Sequence, residues 1–152
     1  FDMEIHYHNR NQLSLDLEEG AIYHKDINDL FKNSEFLSIN CPGSKDTENL
    51  VNEETIKNFT DRVVIANAAR GEVIDDDAMI KAMKSGKVFA LGLDVYRGEP
   101  KINKKYLDLD NLFLLPHLGS ATKKTRIAMG DRAIDNLDAL LNKNSKPKDK
   151  VN

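Results

Sequence analysis

RVVIANAARGEVIDDDAMIKAMKSGKVFALGLDVYRGEP, positions 62–100, decides the fold. Two short apolar runs, RVVIA (62–66) and VFALGL (88–93), flank a segment with the marks of a helix. Asp75, Asp76 and Asp77 crowd its start, Lys84 sits near its end and Gly86 lies just past it, the polarity that caps and the helix dipole favour. Continuous apolar strands alternating with helices predict a parallel sheet buried on both faces.

The same alternation extends outward. LFLLP (112–116) and FLSIN (36–40) read as further strands, MEIHYH (3–8) as another, and Ala21 to Tyr23 as a short one. Asp26 can cap a helix whose Ile27, Leu30 and Phe31 share a face, and Asn52 another with Glu53 and Glu54 in its first turn. The last helix is expected from about Ala121 to Asn142, where Ile127, Ile134 and Leu141 recur with Ala133, Leu137 and Leu140 beside them. The polar tail Lys143 to Lys150 is expected to be mobile. The fold class is α/β, a doubly wound parallel sheet of Rossmann type.

One part of that fold is not in the sequence. A dinucleotide-binding sheet opens with a strand and a Gly-rich turn, G-x-G-x-x-G, which holds the pyrophosphate. These 152 residues contain no such turn, and they begin on Phe1 almost inside a strand. In the order 3-2-1-4-5-6 the first strand lies in the middle. The domain is therefore read as incomplete, its first strand expected upstream of Phe1, leaving 3–8 without a bridge to 36–40.

Composition narrows the function. A net charge of −3 without a basic stripe argues against a nucleic-acid partner, and 31% charged residues without a long apolar stretch against a transmembrane helix. Cys41 is the sole cysteine, which excludes an internal disulfide and fits a cytoplasmic protein. Asn58-Phe-Thr60 matches a glycosylation sequon that such a compartment would leave unused. His6, His8, His24 and Cys41 lack metal-ligand spacing, so no metal is expected.

Ligands of open parallel sheets bind beyond the carboxyl ends of the strands, and there the chemically useful residues stand. Arg70 offers a planar fork for a carboxylate and an adjacent carbonyl, or it is a surface arginine paired with Asp75 or Asp76. Gly71 beside it would let backbone approach a ligand. His117 follows the third strand; an imidazole ordinarily titrates near neutrality, as acid–base work needs, though most lone histidines are structural. Glu99, before Pro100, can accept the imidazole N–H, or it is a turn carboxylate. Asp94 closes an apolar strand and needs a partner, either a cofactor amide or a backbone N–H. After the strand at 3–8 stands His8-Asn9-Arg10, where an acid would read a ribose 2′-hydroxyl. Arginine attracts a 2′-phosphate, so NADP(H) is favoured over NAD(H).

These blocks, with Asn40-Cys41-Pro42, Thr47, Pro116-His117-Leu-Gly119-Ser120-Ala-Thr122 and Asn136-Leu137, closely resemble the D-isomer-specific 2-hydroxyacid dehydrogenases over essentially the whole chain. The Gly-Ser-Ala-Thr run after His117, with Asn9-Arg10, is most similar to the glyoxylate/hydroxypyruvate reductase branch. The resemblance implies that Arg70 binds substrate carboxylate and keto oxygen, His117 is the acid/base and Glu99 its partner. Asp94 would hold the nicotinamide carboxamide. Asn9, Arg10, Cys41, Pro42 and Thr47 would line the adenosine side, and Ala68 and Gly119 would add backbone contacts; Arg70 and His117 also face the cofactor. It further implies reduction of a small 2-keto acid to the D-2-hydroxy acid and a homodimer of the whole protein. Residues 1–121 would form the NAD(P)-binding domain lacking its first strand, and 122–152 a helix and tail belonging to the substrate-binding domain. The chain alone is expected to be inactive. Other readings are a dinucleotide-sensing corepressor, and the phosphoglycerate, D-lactate or formate dehydrogenase branches.

Overall fold

The structure is a computed structural model that describes residues 2–142 and 145–150. In chain order the elements are β1 (His6–Tyr7), α1 (Leu15–Glu18), β2 (Ile22–Tyr23), α2 (Ile27–Lys32), β3 (Phe36–Ile39), α3 (Glu53–Ile56), β4 (Val63–Asn67), α4 (Asp76–Ser85), β5 (Val88–Leu93), β6 (Leu112–Leu114) and α5 (Lys123–Leu141). Short 3-10 turns cover Gly71–Val73 and Lys104–Asp108. The chain divides into two compact units, Phe1–Pro116 and His117–Asn152.

In the first unit β3, β4, β5 and β6 pair in that order, all parallel, and β1 pairs with β2 in a separate parallel sheet. The expected break between 3–8 and 36–40 is present. Register explains the core. Leu37, Ile65 and Leu91 align across three strands, as do Ile39, Asn67 and Leu93, and all six are buried on one face. Phe31 of α2, Ile56 of α3 and Met79, Ile80, Ala82 and Met83 of α4 join them in one cluster. Fully burying one such side chain contributes about 1.5–3 kcal/mol.

The opposite face departs from the expectation of a sheet covered on both sides. Phe36 is 63% exposed and Phe113 65%, although each lies in an apolar strand. The helices packed in the cluster supply cover for the Leu37–Leu91 face alone. Continuous apolar runs report the character of both faces of a strand, not which segment covers each.

Helix ends follow the caps. Asn52 Oδ1 accepts from the N–H groups of Glu54 and Thr55, and Thr55 Oγ1 accepts in return from Asn52 N, a capping box. Asp75 accepts from Ala78 N at 3.0 Å, and Gly86 closes α4 at φ 80°. Asp26 caps α2 through Asn28 N. In the sequon, Asn58 Nδ2 donates to Asn28 Oδ1 and Thr60 Oγ1 to Ser34 O.

Three details differ from expectation. The strand predicted over 3–8 contracts to two residues, the length β2 can pair. The turn of helix α1 was not foreseen, because its Leu15 and Leu17 stay exposed and give no amphipathic stripe. The tail is tied down: Arg132 forks onto Asp149, Asn136 Nδ2 donates to the same carboxylate, and Ser145 N donates to Ala139 O. A polar composition hid these directed contacts. The tail positions Lys143 and Asn144 lie outside the described residues.

Candidate active site

Arg70 is presented by a turn that Asn67 builds. Asn67 is the last residue of β4 and only 2% exposed, a position that a polar side chain tolerates only when satisfied. Its Oδ1 accepts from Ala69 N at 3.0 Å and its Nδ2 donates to Arg70 O at 3.0 Å. The turn throws the exposed Arg70 side chain outward, with Nη1 donating to Ala69 O at 2.7 Å. Asp75 and Asp76, its alternative partners, are engaged elsewhere, Asp75 at the α4 cap and Asp76 with Tyr106 and Asn103. Burial pushes the Asp76 carboxyl up, while hydrogen bonds from Tyr106 and Asn103 pull it down.

Two glycines fix where that turn sits. A Cβ on Gly43, in the loop after β3, would lie 2.8 Å from Arg70 Cγ. A Cβ on Gly71 would lie 2.0 Å from the Tyr96 carbonyl carbon and 2.2 Å from Arg97 N. Gly71 therefore admits the backbone of the neighbouring loop; the expectation that it makes room for a ligand gives way to protein packing.

That neighbouring loop follows β5. Asp94 N donates to Asn67 O, extending the β4–β5 pairing to the strand ends. Glu99 is exposed, precedes a cis bond to Pro100, and accepts from Tyr96 N at 3.0 Å through Oε1. Because β4 and β5 are adjacent and parallel, Arg70 and Glu99 belong to neighbouring loops at the carboxyl end of the sheet.

The adenosine-side candidates fall on two separate strand ends. In the loop after β3, Thr47 Oγ1 donates to Pro42 O at 2.7 Å and accepts from Ser44 N, so its hydroxyl shapes the turn holding Cys41 and Pro42. Burial pushes the half-buried Cys41 thiol up, which suits packing better than nucleophilic attack. Ala68 N donates to Ile39 O. After β1, Asn9 and Arg10 are exposed; Tyr23 Oη donates to Asn9 O, and the His8 ring bonds His24 O.

In the second unit His117 is exposed with φ 56°, left-handed backbone that costs a non-glycine residue about 1 kcal/mol and gathers at functional sites. Gly119 is also exposed, and Thr122 caps α5 by accepting from Thr125 N. Asn67, Gly43 and Arg97 were not singled out as site residues. Asn67 carried a signal, a polar residue ending an apolar strand; Gly43 and Arg97 carried none that separates them from ordinary loop residues.

The model of the D-isomer specific 2-hydroxyacid dehydrogenase, NAD binding domain, matches residues 1–119. The chain belongs to this family. This 2-hydroxyacid dehydrogenase domain is 37% identical over 142 residues to glycerate dehydrogenase of Hyphomicrobium methylovorum, covering 92% of the chain and 44% of that protein. It is 42% identical over 130 residues to glyoxylate reductase 1 of Saccharomyces cerevisiae, covering 86% of the chain and 37% of the relative. Among solved structures it matches an NADPH-dependent glyoxylate/hydroxypyruvate reductase of Sinorhizobium meliloti in complex with NADP and malonate. That match has a TM-score of 0.87 at 31% identity and covers 93% of the chain and 43% of the other. The chain thus spans less than half the length of each of these relatives.

Proposed function

We propose that this 2-hydroxyacid dehydrogenase domain carries the catalytic residues of an NAD(P)H-dependent reductase of glyoxylate or hydroxypyruvate. The observation that carries this reading is the pair of braced loops at the carboxyl end of the sheet, one bearing Arg70 and the other Glu99. Arg70 would grip the substrate carboxylate with its fork and polarise the keto oxygen. His117 would donate the proton to that oxygen as it becomes a hydroxyl, and Glu99 would orient the ring and steady its charged form.

The donor set fits a dinucleotide at two of its three parts. Asp94 directly follows β5, where a carboxamide could be held, and exposed Asn9 and Arg10, with Cys41, Pro42 and Thr47, suit the adenosine part. Ala68 and Gly119 are small and exposed, which suits close approach of a cofactor. The pyrophosphate turn is not among these 152 residues. The reduced nicotinamide, when bound, supplies hydride to the keto carbon. Arg10, with no acid beside it in His8-Asn9-Arg10, favours NADP(H) over NAD(H).

No helix among the described residues is long and apolar enough to cross a membrane. A small-molecule 2-keto acid is the proposed substrate, the cytoplasm the proposed compartment and a homodimer the proposed assembly. The exposed Ile127, Ile134 and Leu137 of α5 support assigning 122–152 to the substrate-binding domain. A panel of 2-keto acids assayed against NADH and NADPH tests the reading on the whole protein. Highest kcat/KM for glyoxylate or hydroxypyruvate with NADPH is expected; no turnover of any 2-keto acid would refute it.

A further inference from the structure

The loop carrying Glu99 is tied to its neighbours by one side chain that the proposed chemistry does not use. Arg97 Nη2 lies 2.6 Å from Asn49 Oδ1, 2.9 Å from Glu72 O and 3.3 Å from Ile74 O. Its Nη1 stands 3.6 Å from the Glu48 carboxylate. These acceptors belong to two different loops. Glu48 and Asn49 follow β3, and Glu72 and Ile74 follow Arg70 at the end of β4. The two loops are themselves joined, since Asn49 N donates to Glu72 O at 2.9 Å and Val51 N to Val73 O at 3.0 Å. One guanidinium thus laces the loops after β3, β4 and β5.

We propose that Arg97 is a positioning residue that sets where Glu99 stands relative to Arg70. This rests on the reading that those two residues act in the reaction. Glu99 is two residues beyond Arg97, and its carboxylate accepts from the N–H of Tyr96, the residue before Arg97. The Tyr96–Arg97 backbone is pressed against Gly71, next to Arg70. Releasing the guanidinium frees the loop to lift from that contact and carry Glu99 with it. A planar fork reaches several carbonyls at once, and a lysine ammonium, a compact point charge on a flexible stem, does not reproduce it.

The test uses the whole protein with Arg97→Ala, Arg97→Lys, Glu99→Gln and the double variant Arg97→Ala/Glu99→Gln. Displacement of a positioned group by about 1 Å can cost on the order of 100-fold, so Arg97→Ala is expected to lower kcat at least about tenfold with KM for the keto acid little changed. The alkaline limb of its kcat/KM profile should move the same way as in Glu99→Gln, with Arg97→Lys intermediate. If Arg97 acts through Glu99, the double variant loses about as much as Glu99→Gln alone. Losses that multiply, or an Arg97→Ala enzyme with the parent's kcat and pH profile, would overturn the proposal. Should Arg97→Ala not fold, Arg97→Lys and its double variant carry the same comparison. If Glu99→Gln itself is silent in kcat and pH profile, the underlying reading of Glu99 fails, and that outcome is distinct from failure of Arg97.

Discussion

Replacing Gly71 by alanine tests how the two loops are held together. The added Cβ would meet the Tyr96 carbonyl carbon at 2.0 Å, the Arg97 nitrogen at 2.2 Å and the Tyr96 oxygen at 2.5 Å, where ordinary contact begins at 3.4 Å. The shortfall is about 1.4 Å against backbone, which cannot rotate aside as a side-chain end can. Overpacking in well-packed surroundings costs typically 1–3 kcal/mol, and this clash belongs at the upper end, about 3 kcal/mol. At roughly 2–4 °C per kcal/mol for a domain near this size, Tm should fall by about 6–12 °C. Relief requires the Tyr96–Arg97 segment to retreat by over an ångström, taking Glu99 away from Arg70, and kcat of the whole protein should fall on the order of 100-fold well below Tm. Thermal unfolding by circular dichroism and steady-state kinetics read the two effects. A variant within about 1 °C of the parent Tm, with undiminished kcat, would show that the Gly71 contact does not brace the site.

Other consequences are smaller. Gly130 lies within α5 with nothing inside 4 Å of a would-be Cβ, so Gly130→Ala should raise helix stability by about 1 kcal/mol, seen as a higher unfolding midpoint. Tyr106 is 1% exposed and its hydroxyl donates to Asp76 Oδ1 at 3.1 Å; Tyr106→Phe should destabilise by about 1 kcal/mol in denaturant titration, through the lost bond. Hydrogen bonding from Arg132, then Asn136, holds the Asp149 carboxyl down to about 2, against an ordinary value of 3.8. The tail contact is therefore complete above about pH 4 and should fade as pH drops towards 2, with an NMR titration midpoint near the lower value. A midpoint at the ordinary value would mean the carboxylate gains nothing from Arg132.

The parallel sheet was legible because strand and helix periods, caps and glycines agreed: Asp75 and Gly86 bound α4 at both ends as read. The break between the two sheets was legible from what the sequence lacks. The open face at Phe36 and Phe113 was not, because an apolar strand looks the same covered or uncovered. Among the candidate site residues, Arg70 and Glu99 stand out by chemical type in the loops after apolar strands. Asn67, Gly43 and Arg97 act through turn geometry and close approach, which depend on residues up to 48 positions away, as in the Arg97–Asn49 bond. Periodicity is blind to such pairings. Gly71 shows the reverse failure: its smallness was noticed, but what approaches it became clear only with β4 and β5 side by side.

In the proposed reaction the role of His117 is to supply the proton to the keto oxygen, that of Arg70 to hold the substrate and that of Glu99 to partner the imidazole. The deciding measurement is on His117→Ala in the whole protein, with kcat for glyoxylate reduction and Kd for NADPH read on the same preparation. A kcat lower by about 10²–10⁴-fold is expected, with NADPH still bound. A variant that keeps its turnover would contradict it, whatever happens to cofactor binding.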